Sequence, residues 1–241
     1  MRLQHHRALI IGGSGGIGRA VSYALAAQGA SIICHGGHNQ DKLDRVVSYI
    51  QEHGGKARGL LVPMERATDI VPHLNGLGRV DILVVAMGPI AYRPLADTDD
   101  ATWQQMIDLN LVLPGLLVSR YLPAMVTSGW GRVVLFGGPH GDTLRGFRTI
   151  AAYGAAKAGV ASLCKSAAQQ TNGQNVAVNL IAPGYVDTEY LSAAQRKQLI
   201  GKSPRGALIS PERVARLVNQ LVLADEPDMN GAMITLDQGL A

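Results

Sequence analysis

At 241 residues, 47% hydrophobic and 17% charged, the chain has ample apolar material for a packed core and fits one large α/β domain over residues 1–241 better than two small ones. Its net charge of +4 comes from scattered Lys and Arg with no run of five or six, which argues against a nucleic-acid face and leaves a mild attraction to acidic partners. Cys34 and Cys164 lack metal-ligand spacing, so no metal site is expected and both read as buried free thiols.

The N-terminus leads directly into an apolar run without a signal-peptide pattern. No apolar stretch approaches the ~18 residues of a membrane span. The expectation is a soluble, cytoplasmic protein. Strands are expected at 8–11, 31–34, 59–62, 82–86, 133–136, 176–181 and 233–236, and helices at 16–28, 40–53, 68–74, 99–126, 152–171 and 211–223. Uniformly apolar strands imply burial on both faces. Right-handed crossovers then leave a Rossmann-type, doubly wound, parallel seven-stranded sheet with helices on both faces. Thr98 is the expected cap of the 99–126 helix, and Ser210-Pro211 starts the last one.

The first strand runs into Gly12-Gly13-Ser14-Gly15-Gly16-Ile17-Gly18 and then a helix. Gly12 permits a tight turn, Gly16 lets backbone approach a pyrophosphate, and Gly18 permits close helix–strand packing, with the helix N-terminus facing the phosphates. The second strand ends Cys34-His35-Gly36-Gly37-His38, with neither the acid that binds a ribose diol nor an Arg for a 2′-phosphate. His35, His38 and Arg19 are the candidates there. With nothing acidic to repel a phosphate, NADP(H) is favoured over NAD(H). Downstream, Tyr153 and Lys157 stand one helical turn apart. An ammonium beside a phenol lowers its pKa from about 10 and prepares it for proton exchange with a substrate oxygen.

These motifs, with Asp108-Leu109-Asn110-Leu111, Asn179-Leu180-Ile181-Ala182-Pro183-Gly184-Tyr185-Val186-Asp187-Thr188 and Asp237-Gln238-Gly239, follow in the order of one family. The chain resembles the classical short-chain dehydrogenases/reductases end to end, and looks most like the 3-oxoacyl-carrier-protein reductase branch. The resemblance implies Tyr153 as acid or base, Lys157 on the nicotinamide ribose and Asn110 holding a water in a proton relay. It implies cofactor contacts at Gly12, Ser14, Gly15, Gly16, Ile17, Gly18, His35, Met64, Ala86, Gly88, Tyr153, Lys157, Pro183, Gly184, Val186 and Thr188.

Departures from the family pattern are specific. Gly138 stands where the family has a catalytic serine; Thr143, Thr149 and His140 are the candidate replacements, and the alternative is a catalytically impaired, cofactor-binding regulatory or structural subunit. Val85-Ala86-Met87-Gly88 replaces Asn-Asn-Ala-Gly, Pro63 replaces an adenine-contacting Asp, and Ile11 replaces a Thr. The substrate, a small carbonyl or acyl compound, is expected between residues 89–92 and 144–147 under a lid at about 188–203. Arg145 and Arg148 would meet an acidic head group or carrier protein. The helices carrying Asn110 and Tyr153 form subunit interfaces in the family, which implies a homotetramer.

Overall fold

Apolar runs too short for a helix become strands where both faces are covered, and the helices between them supply that cover. The computed structural model describes residues 2–139 and 143–240. Its strands are β1 (Arg7–Ile11), β2 (Ser31–Gly36), β3 (Lys56–Leu61), β4 (Ile82–Val85), β5 (Gly131–Phe136), β6 (Val176–Pro183) and β7 (Met233–Leu236). The helices are α1 (Gly16–Ala27), α2 (Gln40–Glu52), the short α3 (Val71–Leu74), α4 (Asp100–Ile107), α5 (Leu113–Ser128), α6 (Ala151–Gln169), α7 (Ala193–Lys202) and α8 (Pro211–Leu223).

All seven strands form one sheet in the order β3-β2-β1-β4-β5-β6-β7, every pair parallel. Leu9 pairs with Ile33 on one side and Leu83 on the other. Alternate residues feed two cores. Leu9, Ile11, Leu83 and Val85 pack with Leu113 and Leu117 of α5 and Val160 of α6. Ala8, Ile10 and Val84 pack with Val21 and Leu25 of α1 and with Val214 and Val218 of α8, which lies against α1. The order reverses at β1, between β2 and β4, and a ligand crevice opens beyond the carboxyl ends of strands at such a point.

Three differences from the sequence reading have local causes. β3 begins at Lys56 rather than 59, because an edge strand covered on one side accepts polar residues such as Lys56 and Arg58. The expected single helix 99–126 is a continuous rod of α4, a π-helical turn (Asp108–Val112) and α5. Its cap is Asp99, whose carboxylate accepts the Thr102 N–H at 2.8 Å, since the Thr98 hydroxyl already donates to the Pro94 carbonyl. Third, α7 is a helix that periodicity does not announce, since it buries no side chain and rests on the Ser192–Gln195 capping box.

The 29-residue rod over 100–128 is apolar and long enough to cross a bilayer, contrary to the reading that no stretch approaches that length. Its most apolar window is half buried in the protein, as in a core helix. Cys34 and Cys164 are both buried and free, and burial pushes their thiols up to about 12 and about 11, which leaves them unreactive.

Candidate functional site

The loop between β1 and α1 is fixed by contacts no side chain of its own makes. Gly12 takes φ +77°, and a Cβ on Gly18 would overlap the Gly12 carbonyl oxygen. The Gly12 N–H donates to His35 Nδ1 at 3.1 Å, while His35 Nε2–H donates to the Val62 carbonyl at 2.9 Å. The Ser14 N–H donates to the His35 carbonyl at 3.2 Å. His35 is therefore a brace beneath the loop, fully buried with both ring nitrogens used, and it does not present a side chain to a ligand. This corrects the expected cofactor contact: β2 extends two residues further than the sequence suggested and carries the imidazole inside.

Burial lowers the His35 pKa below its usual 6.5, partly opposed by the Val62 carbonyl. The unfolded chain then takes up a proton that the folded chain refuses. Stability is fully present above about pH 6.5 and falls as the pH drops through that value toward the folded pKa. Urea unfolding should show a lower midpoint at pH 5.5 than at pH 7.5. His35→Asn should shrink that difference, leaving the part contributed by His6, whose pKa is lowered in the same direction. An equal drop in both proteins would remove His35 from this account.

The loop holds an anion of the chain's own. The Gly16 N–H, in the first turn of α1, donates to both carboxylate oxygens of Glu189 at 3.2 Å, and Arg19 Nη1 pairs with the same carboxylate at 3.3 Å. Tyr190 covers Gly15, so that a Cβ there would overlap its hydroxyl, and a Cβ on Gly16 would lie 3.3 Å from the Thr188 methyl. Helix N-termini attract phosphates for the reason that attracts this carboxylate. The cradle therefore fits a dinucleotide phosphate, to be held by the backbone of residues 12–18.

On the other side of the crevice, α6 carries Tyr153 and Lys157 one turn apart. The ammonium lies over the face of the Tyr153 ring and makes no hydrogen bond to its hydroxyl among the described residues. Lys157 Nζ donates to the Phe136 carbonyl at 2.9 Å and lies 5.6 Å from the centre of the Tyr153 ring. Burial lowers Lys157 to about 8. Burial, with Tyr92 nearby, pushes the Tyr153 phenol up rather than down. The cause is local: the end of β5 offers a bare carbonyl, which the lysine satisfies first.

Asn110 is fully buried in the π-helical turn, a distortion frequent at functional sites. Its Nδ2 donates to the Pro89 carbonyl at 3.0 Å, while its Oδ1 is buried without a partner among the described residues. That oxygen and Lys157 Nζ converge on Gly88: a Cβ there would overlap Asn110 Oδ1 and stand 3.2 Å from the ammonium. Orphaned buried acceptors are rare and call for a polar partner such as an ordered water.

Gly138 lies against the phenol, and a Cβ on it would stand 3.0 Å from Tyr153 Oη. A serine there is accommodated only if the Tyr153 ring gives by a few tenths of an ångström. A cavity of about 300 Å³ opens beside Gly138 and Tyr153, walled by Thr143, Leu144, Arg145 and Phe147. The loops 89–93 and 143–150 are joined where the Arg93 N–H donates to the Thr149 carbonyl at 2.7 Å. Of the candidate replacements for serine, Thr143 borders the cavity, Thr149 is exposed, and His140 lies outside the described residues.

The remaining expected residues line the carboxyl edge of the sheet. Ala86, whose N–H donates to the Ile11 carbonyl at 2.9 Å, and Gly88 follow β4; Met64 is buried after β3. Pro183 ends β6, Gly184 is pressed against Asp237, and Val186 bridges to Ile209. Ser14 and Ile17 remain half-buried in the loop. Glu189 and Phe136 were missed by sequence reasoning, whereas Tyr92 belongs to the expected 89–92 wall. An acid directly after Thr188, opposite a loop read as an anion site, was the available signal for Glu189.

A parallel sheet with a glycine-rich cradle at its switch point and a buried Tyr–Lys–Asn cluster beside it defines a dinucleotide-dependent oxidoreductase fold. The family profile of the short chain dehydrogenases matches residues 6–199. The 3-oxoacyl-[acyl-carrier-protein] reductase FabG of Escherichia coli K12 is 29% identical over 247 aligned positions, covering 100% of this chain and 99% of that protein. The oxidoreductase YmfI of Bacillus subtilis 168 is 27% identical, covering 96% of this chain and 97% of its own. A Beutenbergia cavernae structure, assigned as an NAD(P) dependent gluconate 5-dehydrogenase with NADP bound at low occupancy, superposes with a TM-score of 0.86. It is 29% identical and covers 99% of this chain and 97% of that one. The chain belongs to the short chain dehydrogenase family, where it is most like the 3-oxoacyl-carrier-protein reductases. It is an NAD(P)-dependent oxidoreductase acting on CH–OH and C=O groups.

Proposed function

We propose that this enzyme reduces a ketone or 3-oxoacyl compound with NADP(H), using Tyr153 as the proton donor. The observation that carries the proposal is the Tyr153 phenol at the floor of the 300 Å³ cavity, with Lys157 one turn away and the anion cradle across the crevice. A bound nicotinamide supplies the hydride. The chain's own residues supply the proton and the positioning.

Because burial raises its pKa, Tyr153 stays protonated in the free enzyme, the state needed to give a proton to a carbonyl oxygen. Lys157 uses one of its three donors on Phe136 and keeps two, which suits ribose hydroxyls on one side and the Asn110 corner on the other. The orphaned Asn110 Oδ1 suits a water that would resupply the proton. Backbone at Pro183, Gly184 and Val186, with the Thr188 hydroxyl, would orient the nicotinamide.

NADP(H) is favoured because β2 ends without an acid, with exposed His38 and half-buried Arg19 as the candidates for a 2′-phosphate. Exposed Arg145 on the cavity wall, with exposed Arg148 on the same loop, suits an acidic head group or carrier protein. Residues 188–203 would close over the substrate, and assembly as a homotetramer through the α5 and α6 faces belongs to the same reading. The test is a titration with NADPH and NADH, followed by oxidation of the tighter binder against 3-oxoacyl thioesters and cyclic ketones. Tighter NADPH binding with turnover is expected, and binding of neither cofactor would overturn the proposal.

A further inference from the structure

We propose that Glu189 is an internal occupant of the phosphate cradle, so that cofactor entry and lid release are a single exchange. This rests on the reading of residues 12–18 as the dinucleotide-phosphate site. Both oxygens of the Glu189 carboxylate take the Gly16 N–H at 3.2 Å, and Arg19 closes on the same group at 3.3 Å. Those are the donor, the helix end and the cation that an arriving phosphate needs. A phosphate cannot share them with a carboxylate, since one N–H cannot serve both and the two anions repel.

The exchange reaches beyond one side chain. Tyr190 covers Gly15 and lies under Lys42, whose Nζ is 5.2 Å from the ring centre. Ser192 and Gln195 cap α7 immediately afterwards, and Arg196 Nε ties back to Asp187 at 2.7 Å. Residues 187–196 thus form one strap pinned to the cradle through Glu189. Removing the pin frees Arg19 for the incoming phosphate and frees Tyr190 from the glycine loop. While the strap is down, only the fraction of molecules with an open cradle binds, and apparent affinity is reduced by that fraction.

The experiment measures the affinity of inorganic pyrophosphate for the wild-type protein and for Glu189→Gln by calorimetry. Amide exchange over 187–199 is followed in both. Glutamine keeps the size and an acceptor but removes the charge. Removing a carboxylate from a helix N-terminus and an arginine should tighten pyrophosphate binding about tenfold. Exchange over 187–199 should rise in the variant without ligand, and in the wild type on adding pyrophosphate. Glu189→Ala should reproduce the gain. Equal or weaker pyrophosphate binding in both variants overturns the exchange, as does a strap whose protection is unchanged by saturating pyrophosphate. NADPH is titrated alongside. A pyrophosphate gain in variants that, like the wild type, bind no NADPH would uphold the exchange and sink the reductase reading.

Discussion

Tyr153→Phe should lower turnover of every carbonyl substrate by about 10²–10⁴-fold, the contribution typical of a positioned proton donor. The substitution removes only the phenolic oxygen. The ring keeps its place against Gly138, and Lys157 keeps its bond to Phe136. The cradle lies across the crevice in residues 12–18 and shares no hydrogen bond with Tyr153, so NADPH affinity should change less than about twofold. Single-turnover rates with fluorescence titration of NADPH separate the two quantities. A variant as fast as the wild type would show that another group supplies the proton, and Thr143 at the cavity wall would be examined next.

Gly18→Ala should be the most damaging single change in the cofactor site. Its Cβ would overlap the Gly12 carbonyl oxygen and stand 2.7 Å from that carbonyl carbon and 3.0 Å from Gly13 Cα. All three obstacles are backbone, and Gly12 is itself held from below by His35, so nothing can yield cheaply. Overpacking of this kind costs about 1–3 kcal/mol in stability. The loop must also move off the helix, which misdirects the Gly16 N–H. Losing one hydrogen bond to a charged group, worth about 1.5–3 kcal/mol, weakens phosphate binding by roughly 10–100-fold. Gly76→Ala is the control, because a Cβ there meets nothing within 4 Å and the residue lies outside the cofactor site. NADPH titration of the two variants, with thermal unfolding, checks both effects, and equal affinities would show that the loop is softer than its contacts indicate.

The fold was legible because its signals are one-dimensional. Apolar runs such as residues 8–11 and Ile82–Val85 have no polar residue to hide on a solvent face, and the strand–loop–helix order around Gly12 leaves little choice of topology. The edges were less legible. β3 starts with Lys56 because it has one neighbour, and whether a strand is central or terminal is decided only by the finished sheet. The same limit applies to side-chain roles. Tyr153 and Lys157, paired by their spacing, and Asn110, implied by the resemblance, do lie in one place, but where Lys157 spends its proton depends on the carbonyl of Phe136 from another element. His35 reads as a strand-end residue facing a ligand until β2 is seen to run on to Gly36. Glu189 reaches the loop across 173 residues of chain, a contact that no local pattern encodes.

The packing of α8 against α1 sets an order of events during synthesis. The α1 face bearing Val21 and Leu25 emerges early, whereas its cover, Val214 and Val218, is made only after more than 180 further residues. At about 5–20 residues per second that leaves roughly ten to forty seconds in which the side of α1 turned to α8 lacks its cover, while β1 already lines the side turned to the sheet. Truncations that stop short of α8 should yield insoluble rather than merely inactive protein.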